Sequence, residues 1–153
     1  MSKWLKENWF MIGMLMIVVT IGASASFYFF HLTKLNNLKL QEMCSEEAEK
    51  YFNKQDYSPI SSPDLMSTYK YSNHYNNKLN KCYVRIDTMQ SVVNPYSGDQ
   101  STTLYDVNEN IEVASFYQSH DAKGVIASPC HIGEDLCKSN DEFEKRIKLY
   151  MEN

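Results

Sequence analysis

Proline and glycine are scarce, at 4 and 5 residues in 153, which excludes a Pro/Gly-rich linker or a collagen-like chain. No G-x-S-x-G elbow, H-E-x-x-H pair or phosphate-cradling glycine loop occurs, so none of the hydrolase, zinc-protease or nucleotide-binding classes marked by those motifs is indicated. Neither C-x-x-C nor C-x-x-C-H is present, which removes the thioredoxin-like redox pair and covalent haem attachment. Basic excess is lacking too. Of 15 basic residues, Lys3 and Lys6 lie upstream of the longest apolar run, leaving 13 after it; of 19 acidic residues only Glu7 lies upstream, leaving 18. The portion from Lys34 to Asn153 therefore has a formal charge of −5, which argues against a nucleic-acid partner and against docking on anionic headgroups.

The longest absence is of charge itself. From Trp9 to Leu32, 24 residues pass without Asp, Glu, Lys or Arg, and His31 is the only titratable side chain. As a helix rising 1.5 Å per residue this stretch would be about 36 Å long, enough to cross a hydrocarbon core of roughly 30 Å. Trp9 and Tyr28, with Trp4 just upstream, suit the two interfaces, where aromatic rings concentrate. The segment also has signal-peptide features: Lys3 and Lys6 form a basic start, Phe10 to Ile21 an apolar centre, and Ala23-Ser24-Ala25 a small-x-small cleavage pattern. Phe27 to Phe30 carry the apolar run past that pattern, so an uncleaved anchor is the expectation, with secretion after cleavage near Ala25 as the alternative. Met11 to Gly22 superficially resembles a type IV pilin helix, which makes a pilin-like assembly subunit an alternative, although it lacks the Gly junction and the acidic residue that such helices carry.

All four cysteines, Cys44, Cys82, Cys130 and Cys137, follow this segment. An even count behind an export signal is read as disulfides in an oxidising compartment. Three pairings are possible; the local one, Cys130 with Cys137 around Gly133, leaves Cys44 for Cys82. A zinc set drawn from Cys130, His131, Cys137 and His120 has too wide a cysteine gap and an awkward adjacent pair, so neither metal nor cofactor is expected.

Lys34 to Lys54 continues as a helix, with Cys44, Ala48, Tyr51 and Phe52 on one apolar stripe. Residues 55–77 carry Pro59, Pro63 and many Ser, Tyr and Asn, which reads as loop, with Asp64 capping a short helical turn. Leu79 to Thr88 alternates as a strand, Cys82, Val84 and Ile86 one way and Tyr83, Arg85 and Asp87 the other. A turn over 94–99, strands at Thr102–Val107 and Ile111–Gln118, and a short one at Val125–Ala127 follow. The chain ends on a helix that opens with a Ser139/Glu142 capping box and buries Phe143, Ile147, Tyr150 and Met151. The expected fold is α+β: an antiparallel sheet of three or four strands with two helices on one face. Its organisation is 1–33 anchor or signal peptide, 34–54 connecting helix, and 55–153 sheet and terminal helix.

The stretch Tyr71-Ser-Asn-His-Tyr-Asn-Asn-Lys-Leu-Asn-Lys-Cys-Tyr-Val84 resembles a motif of small, uncharacterised bacterial envelope proteins, as does the Cys44 to Phe52 helix before it. That resemblance implies export and this order of elements, and transfers no catalytic residue. The polar aromatic segment Tyr69 to Tyr83 is the candidate binding region. Tyr69, Tyr71, His74, Tyr75 and Asn76, with Asn77 and Lys78, would line a groove for glycan or peptide. The plainer reading is that the rings cover a sheet edge while the asparagines make turn contacts. His74, His120 and His131 are candidate general bases without an identifiable partner. The expected role is a non-enzymatic, membrane-anchored accessory or interaction subunit of an envelope complex. Its partners would be the bilayer, through residues 9–32, and another envelope protein.

Overall fold

The computed structural model describes residues 3–62, 64–92, 97–121, 124–127 and 130–152. Asn94, Pro95 and Tyr96 of the expected turn, and the side chain of Trp4, lie outside the described part. The chain divides into two compact units, Met1–Lys39 and Leu40–Asn153.

Helix α1, Lys3–Lys54, occupies the first unit and continues into the second. Its 52 residues contain no proline. Within the first unit the large apolar side chains from Trp9 to Phe30 are exposed, apart from half-buried Ile12, and by length and composition the helix can cross a membrane. Its few hydroxyls turn inward. Thr20 donates to the Ile17 carbonyl at 2.9 Å, Ser24 to Thr20 and Ser26 to Gly22 at 2.8 Å, and Thr33 to Phe29 at 2.9 Å. Each satisfies its polar group within the helix, as an apolar surrounding requires.

The second unit is built on one antiparallel sheet. Its strands are β1 (Ile60–Ser61), β2 (Leu65–Asn76), β3 (Lys81–Val92), β4 (Ser97–Asp106), β5 (Ile111–Asp121), β6 (Gly124–Ala127), β7 (Cys130–Ile132) and β8 (Asp135–Cys137). The order is β1-β2-β3-β4-β5-β7-β8, with β6 also paired to β5, so the described residues form eight strands where three or four were expected. The fold is α+β, completed by helix α2, Asn140–Met151.

Two hairpin turns share one chemistry. Asn76 Oδ1 accepts from the N–H groups of Lys78 and Leu79 at 3.1 and 3.0 Å; Asp106 Oδ1 accepts from Asn108 and Glu109 at 3.1 and 3.2 Å. Four residues later Asn80 and Asn110 take left-handed backbones, φ 54 and 55, which asparagine tolerates better than most side chains. The β7–β8 turn uses Gly133 at φ 61, and its N–H donates to the Val113 carbonyl at 2.7 Å, where β5 bulges against β4.

The two helices cover opposite faces, not one. Val84 pairs across the ladders with Asn73 and Tyr105, and Ile86 with Tyr71 and Thr103, so these share a face. The C-terminal part of α1 packs there, with Ala48 fully buried against Val84 and Ile86, and Cys44 joined to Cys82 by a disulfide. On the other face Tyr83, Leu104, Ala114, Phe116 and Ile132 receive Phe143 and Ile147 of α2, together with the Cys130–Cys137 disulfide. Burying Phe143 and Ile147 contributes about 1.5–3 kcal/mol each. Arg85 clamps α2 from the sheet, donating to both Glu144 oxygens at 2.8 Å. Ser139 caps α2 as expected, accepting from Glu142 N–H at 3.2 Å; Glu142 itself accepts from Lys138 N–H at 3.0 Å.

Residues 55–77 are the principal correction. They hold β1 and the twelve-residue β2, and Asp64 sits in a bend, not a helical turn. Tyr and Thr favour strands, and β2 pairs residue for residue with β3 along its full length, which outweighs the local loop chemistry of Ser and Asn.

Candidate functional site

Because side chains alternate along a strand, β2 divides the expected groove in two. Tyr69, Tyr71 and Tyr75 lie on the α1 face; His74 and Asn76 lie on the α2 face. The five residues do not converge.

Asn76 is 1% exposed and fully committed. Its Nδ2 lies 2.9, 3.1 and 3.3 Å from the carbonyls of Leu149, Tyr150 and Glu152, the last turn of α2, while Oδ1 holds its own turn. Tyr75 is buried against Cys44 and Cys82; its hydroxyl donates to Asn80 Oδ1 and its N–H to Gln41 Oε1 at 2.9 Å. These two residues serve the architecture. Lys78 stands exposed in the turn, beside Asn77. His74 pairs across the ladder with Tyr83, and its Nε2 is buried without a hydrogen-bond partner among the described residues.

Tyr69 and Tyr71 join a different cluster. Ring centroids run Tyr69–Tyr57 at 5.3 Å, Tyr57–Phe52 at 5.0 Å and Phe52–Tyr71 at 4.6 Å, a continuous partly exposed aromatic row; Tyr51 and Tyr105 meet at a tilt with centroids 5.3 Å apart. Burial pushes the Tyr105 hydroxyl well up, helped by Tyr57 and Glu112, and burial also raises Tyr51 and Tyr57. The rings are held neutral, suited to packing or to stacking a ligand face. Tyr57 and Tyr105 were missed because each reads, in sequence, as an isolated aromatic.

Also on the α1 face, His131 Nε2 lies 2.8 Å from Ser115 Oγ and 3.0 Å from Glu112 Oε1. A nucleophile–base–carboxylate relay needs the acid on the other ring nitrogen. Here both contacts meet one nitrogen and Nδ1 has no partner among the described residues, so the trio as placed is not such a relay. His120, at the far end of β5, contacts Gln118 at 2.7 Å. Among the described residues no three His, Cys, Asp or Glu groups are placed to hold a metal, and Cys130 and Cys137 are bonded to each other.

Lys81, Asp106 and Tyr83 form a small electrostatic knot. Asp106 is 0% exposed and Lys81 Nζ reaches it at 2.7 Å and Glu109 at 2.8 Å, which raises the ammonium's pKa. Burial, then the Asp106 charge, push the Tyr83 hydroxyl up to about 12. The knot pins the two hairpin turns together.

No family model, curated protein or solved structure matches this chain.

Proposed function

We propose that the chain is a single-pass membrane protein whose disulfide-bonded domain lies outside the reducing cytoplasm, where it serves as a non-enzymatic interaction or accessory subunit of an envelope complex. One observation carries the reading: Trp9, Phe10, Met11, Leu15, Val18, Ile21, Phe27 and Phe30 are all more than half exposed on the stretch of α1, residues 9–32, that has no Asp, Glu, Lys or Arg. At about 25 cal/mol per Å² of apolar surface, leaving such a row in water is untenable, and lipid is the covering that fits its length. The inward-bonded hydroxyls of Thr20, Ser24, Ser26 and Thr33 agree with a lipid surrounding. Two disulfides and no free cysteine support an oxidising compartment.

Expression in bacterial cells tests each part. The protein is expected to resist alkaline extraction from membranes, to keep the segment before Ser26 by intact mass, and to lose its domain to protease only once the outer envelope is opened. Crosslinking in native membranes should then give a discrete heterologous product. Release by alkali, an N-terminus at Ser26, or four reactive thiols in freshly lysed cells would each remove the corresponding part; a solitary monomer would remove the subunit role.

A further inference from the structure

Strand β2 is the open edge of the sheet. Its β3 side is paired over all twelve residues, but among the described residues its other side meets β1 only at Met66 and Ser67. Tyr75 fixes which groups point outward: its N–H reaches the Gln41 side chain and not β3. Alternation then turns the N–H and C=O groups of Tyr69, Tyr71 and Asn73 away from β3 as well, and no described strand receives them. Thr68, Lys70, Tyr71 and Ser72 are exposed; Phe52 and Tyr57 pack on the Tyr71 and Tyr69 rings from the α1 face, while no described strand lies along the edge itself. An unpaired run of this kind is a template for another strand.

The side chains beside the edge specify what fits. On one face an added strand would run beside Tyr69 and Tyr71, whose rings are backed by Tyr57 and Phe52. On the other it would run beside Thr68, Lys70, Ser72 and His74. Strand β2 contains no acidic residue, although the domain around it is acidic. Asp87, opposite Lys70, is taken by Arg85 at 2.9 Å and by Thr102 at 2.7 Å, which leaves the Lys70 ammonium without an ion pair among the described residues. Cross-strand neighbours of opposite charge and aromatic–aliphatic neighbours are the favourable pairs in a sheet.

We propose that β2 docks an extended segment of a partner protein by strand addition, the segment alternating apolar residues toward Tyr69 and Tyr71 with acidic residues toward Lys70. This assigns a partner class within the interaction reading above and rests on it for the choice of a protein as occupant.

The probe is the synthetic peptide Glu-Val-Glu-Val-Glu-Val-Glu, with its Lys-for-Glu counterpart as control, titrated into the full chain in detergent micelles. The acidic peptide is expected to bind roughly tenfold or more tightly than the basic one, and Lys70→Glu to invert that order. Tyr71→Pro, which deletes one outward N–H at an edge position that accepts proline, should weaken binding about tenfold. Since that change also disturbs the Phe52 stack, amide exchange on the unaltered chain supplies an independent reading: the acidic peptide should slow exchange at Tyr69, Tyr71 and Asn73. Equal affinity for both peptides, indifference to Lys70→Glu, or unslowed exchange at those amides would overturn the proposal. Sedimentation showing a dimer that Tyr71→Pro dissociates would also overturn it, by making a second copy the occupant. A crosslinked partner in native membranes together with no peptide binding would sink strand addition and leave the subunit reading standing.

Discussion

Replacing Asn76 should cost the domain more than its turn position suggests, because one side chain joins β2, its hairpin and the end of α2. The Nδ2 group supplies two hydrogens to three carbonyls at 2.9, 3.1 and 3.3 Å, and Oδ1 accepts from two N–H groups at 3.1 and 3.0 Å. Counting about 1 kcal/mol net per hydrogen bond gives about 4 kcal/mol for four bonds. Lys78 and Leu79 are exposed, so water recovers part of that, and Asn76→Ala is expected to lose about 2–3 kcal/mol. In urea this lowers the midpoint by roughly 1–2 M at unchanged slope. Asn76→Asp sharpens the test. It keeps the acceptor for Lys78 and Leu79 but turns a carboxylate toward three carbonyls at a helix C-terminus, where negative charge is unfavourable. At pH 7 it should therefore be less stable than the alanine variant. That aspartate's pKa would be raised in the folded state above its unfolded value of about 3.9, so the penalty is absent below that value and grows as pH rises. The aspartate–alanine difference should narrow on acidification toward pH 4, each pair being compared at the same pH. A loss below about 0.5 kcal/mol for Asn76→Ala, or an Asn76→Asp chain more stable than Asn76→Ala at pH 7, would refute the reasoning.

The two disulfides should differ in worth. Cys44→Ser with Cys82→Ser opens a 38-residue separation and should lose about 4 kcal/mol on the chain-entropy model, against about 2.5 kcal/mol for Cys130→Ser with Cys137→Ser across 7 residues; equal losses in chemical denaturation would count against that account. Phe143→Ala, at a fully buried position against Phe116 of the sheet, should cost about 3–5 kcal/mol by the same measurement, and a cost under 1 kcal/mol would show that α2 is not seated as described. Above pH 10 stability should fall. Tyr83, at about 12 in the fold, ionises in the unfolded chain near 10, so its contribution is whole below 10 and is lost as pH rises through 12, with Tyr105 shifted the same way. Tyrosinate absorbance that rises fully near pH 10 with the fold intact would contradict the burial of both rings.

Legibility in the sequence followed the strength of local signals. The helix leading out of the apolar run, the strand at Cys82, the hairpin at Asn108 and the capped terminal helix each carried their own periodicity or end signal. Strand β2 did not. Its Tyr-Lys-Tyr-Ser-Asn-His lacks an apolar alternation, because one face of its middle is solvent-exposed and the other is covered by aromatic rings from α1 and the following loop. Register with β3, a non-local property, makes it a strand. The placement of the helices was obscured in a related way: Cys82, Tyr83 and Val84 are consecutive and all buried, which happens only when both faces of a strand are covered, but tyrosine reads equally well as an outward residue. The candidate site suffered most, since period-2 geometry separates residues that adjacency in sequence suggests are partners.

The motif that prompted a binding reading is better explained as the joint of the domain. Tyr75 holds Gln41 and Asn80, Asn76 holds the end of α2, Asn80 supplies the left-handed turn, Lys81 neutralises buried Asp106, and Cys82 ties α1 to the sheet. Five residues in an eight-residue span thus connect both helices and two hairpins, and each is the residue type its task demands. Any chain keeping this architecture would need them whatever its domain binds. Specificity should therefore be sought where side chains are not consumed by the fold, at Thr68, Lys70, Tyr71 and Ser72 on the neighbouring open edge. Substitutions at Thr68, Lys70 and Ser72 should move affinity with little effect on stability, Tyr71 also touching the Phe52 ring, while substitutions from Tyr75 to Cys82 should do the reverse.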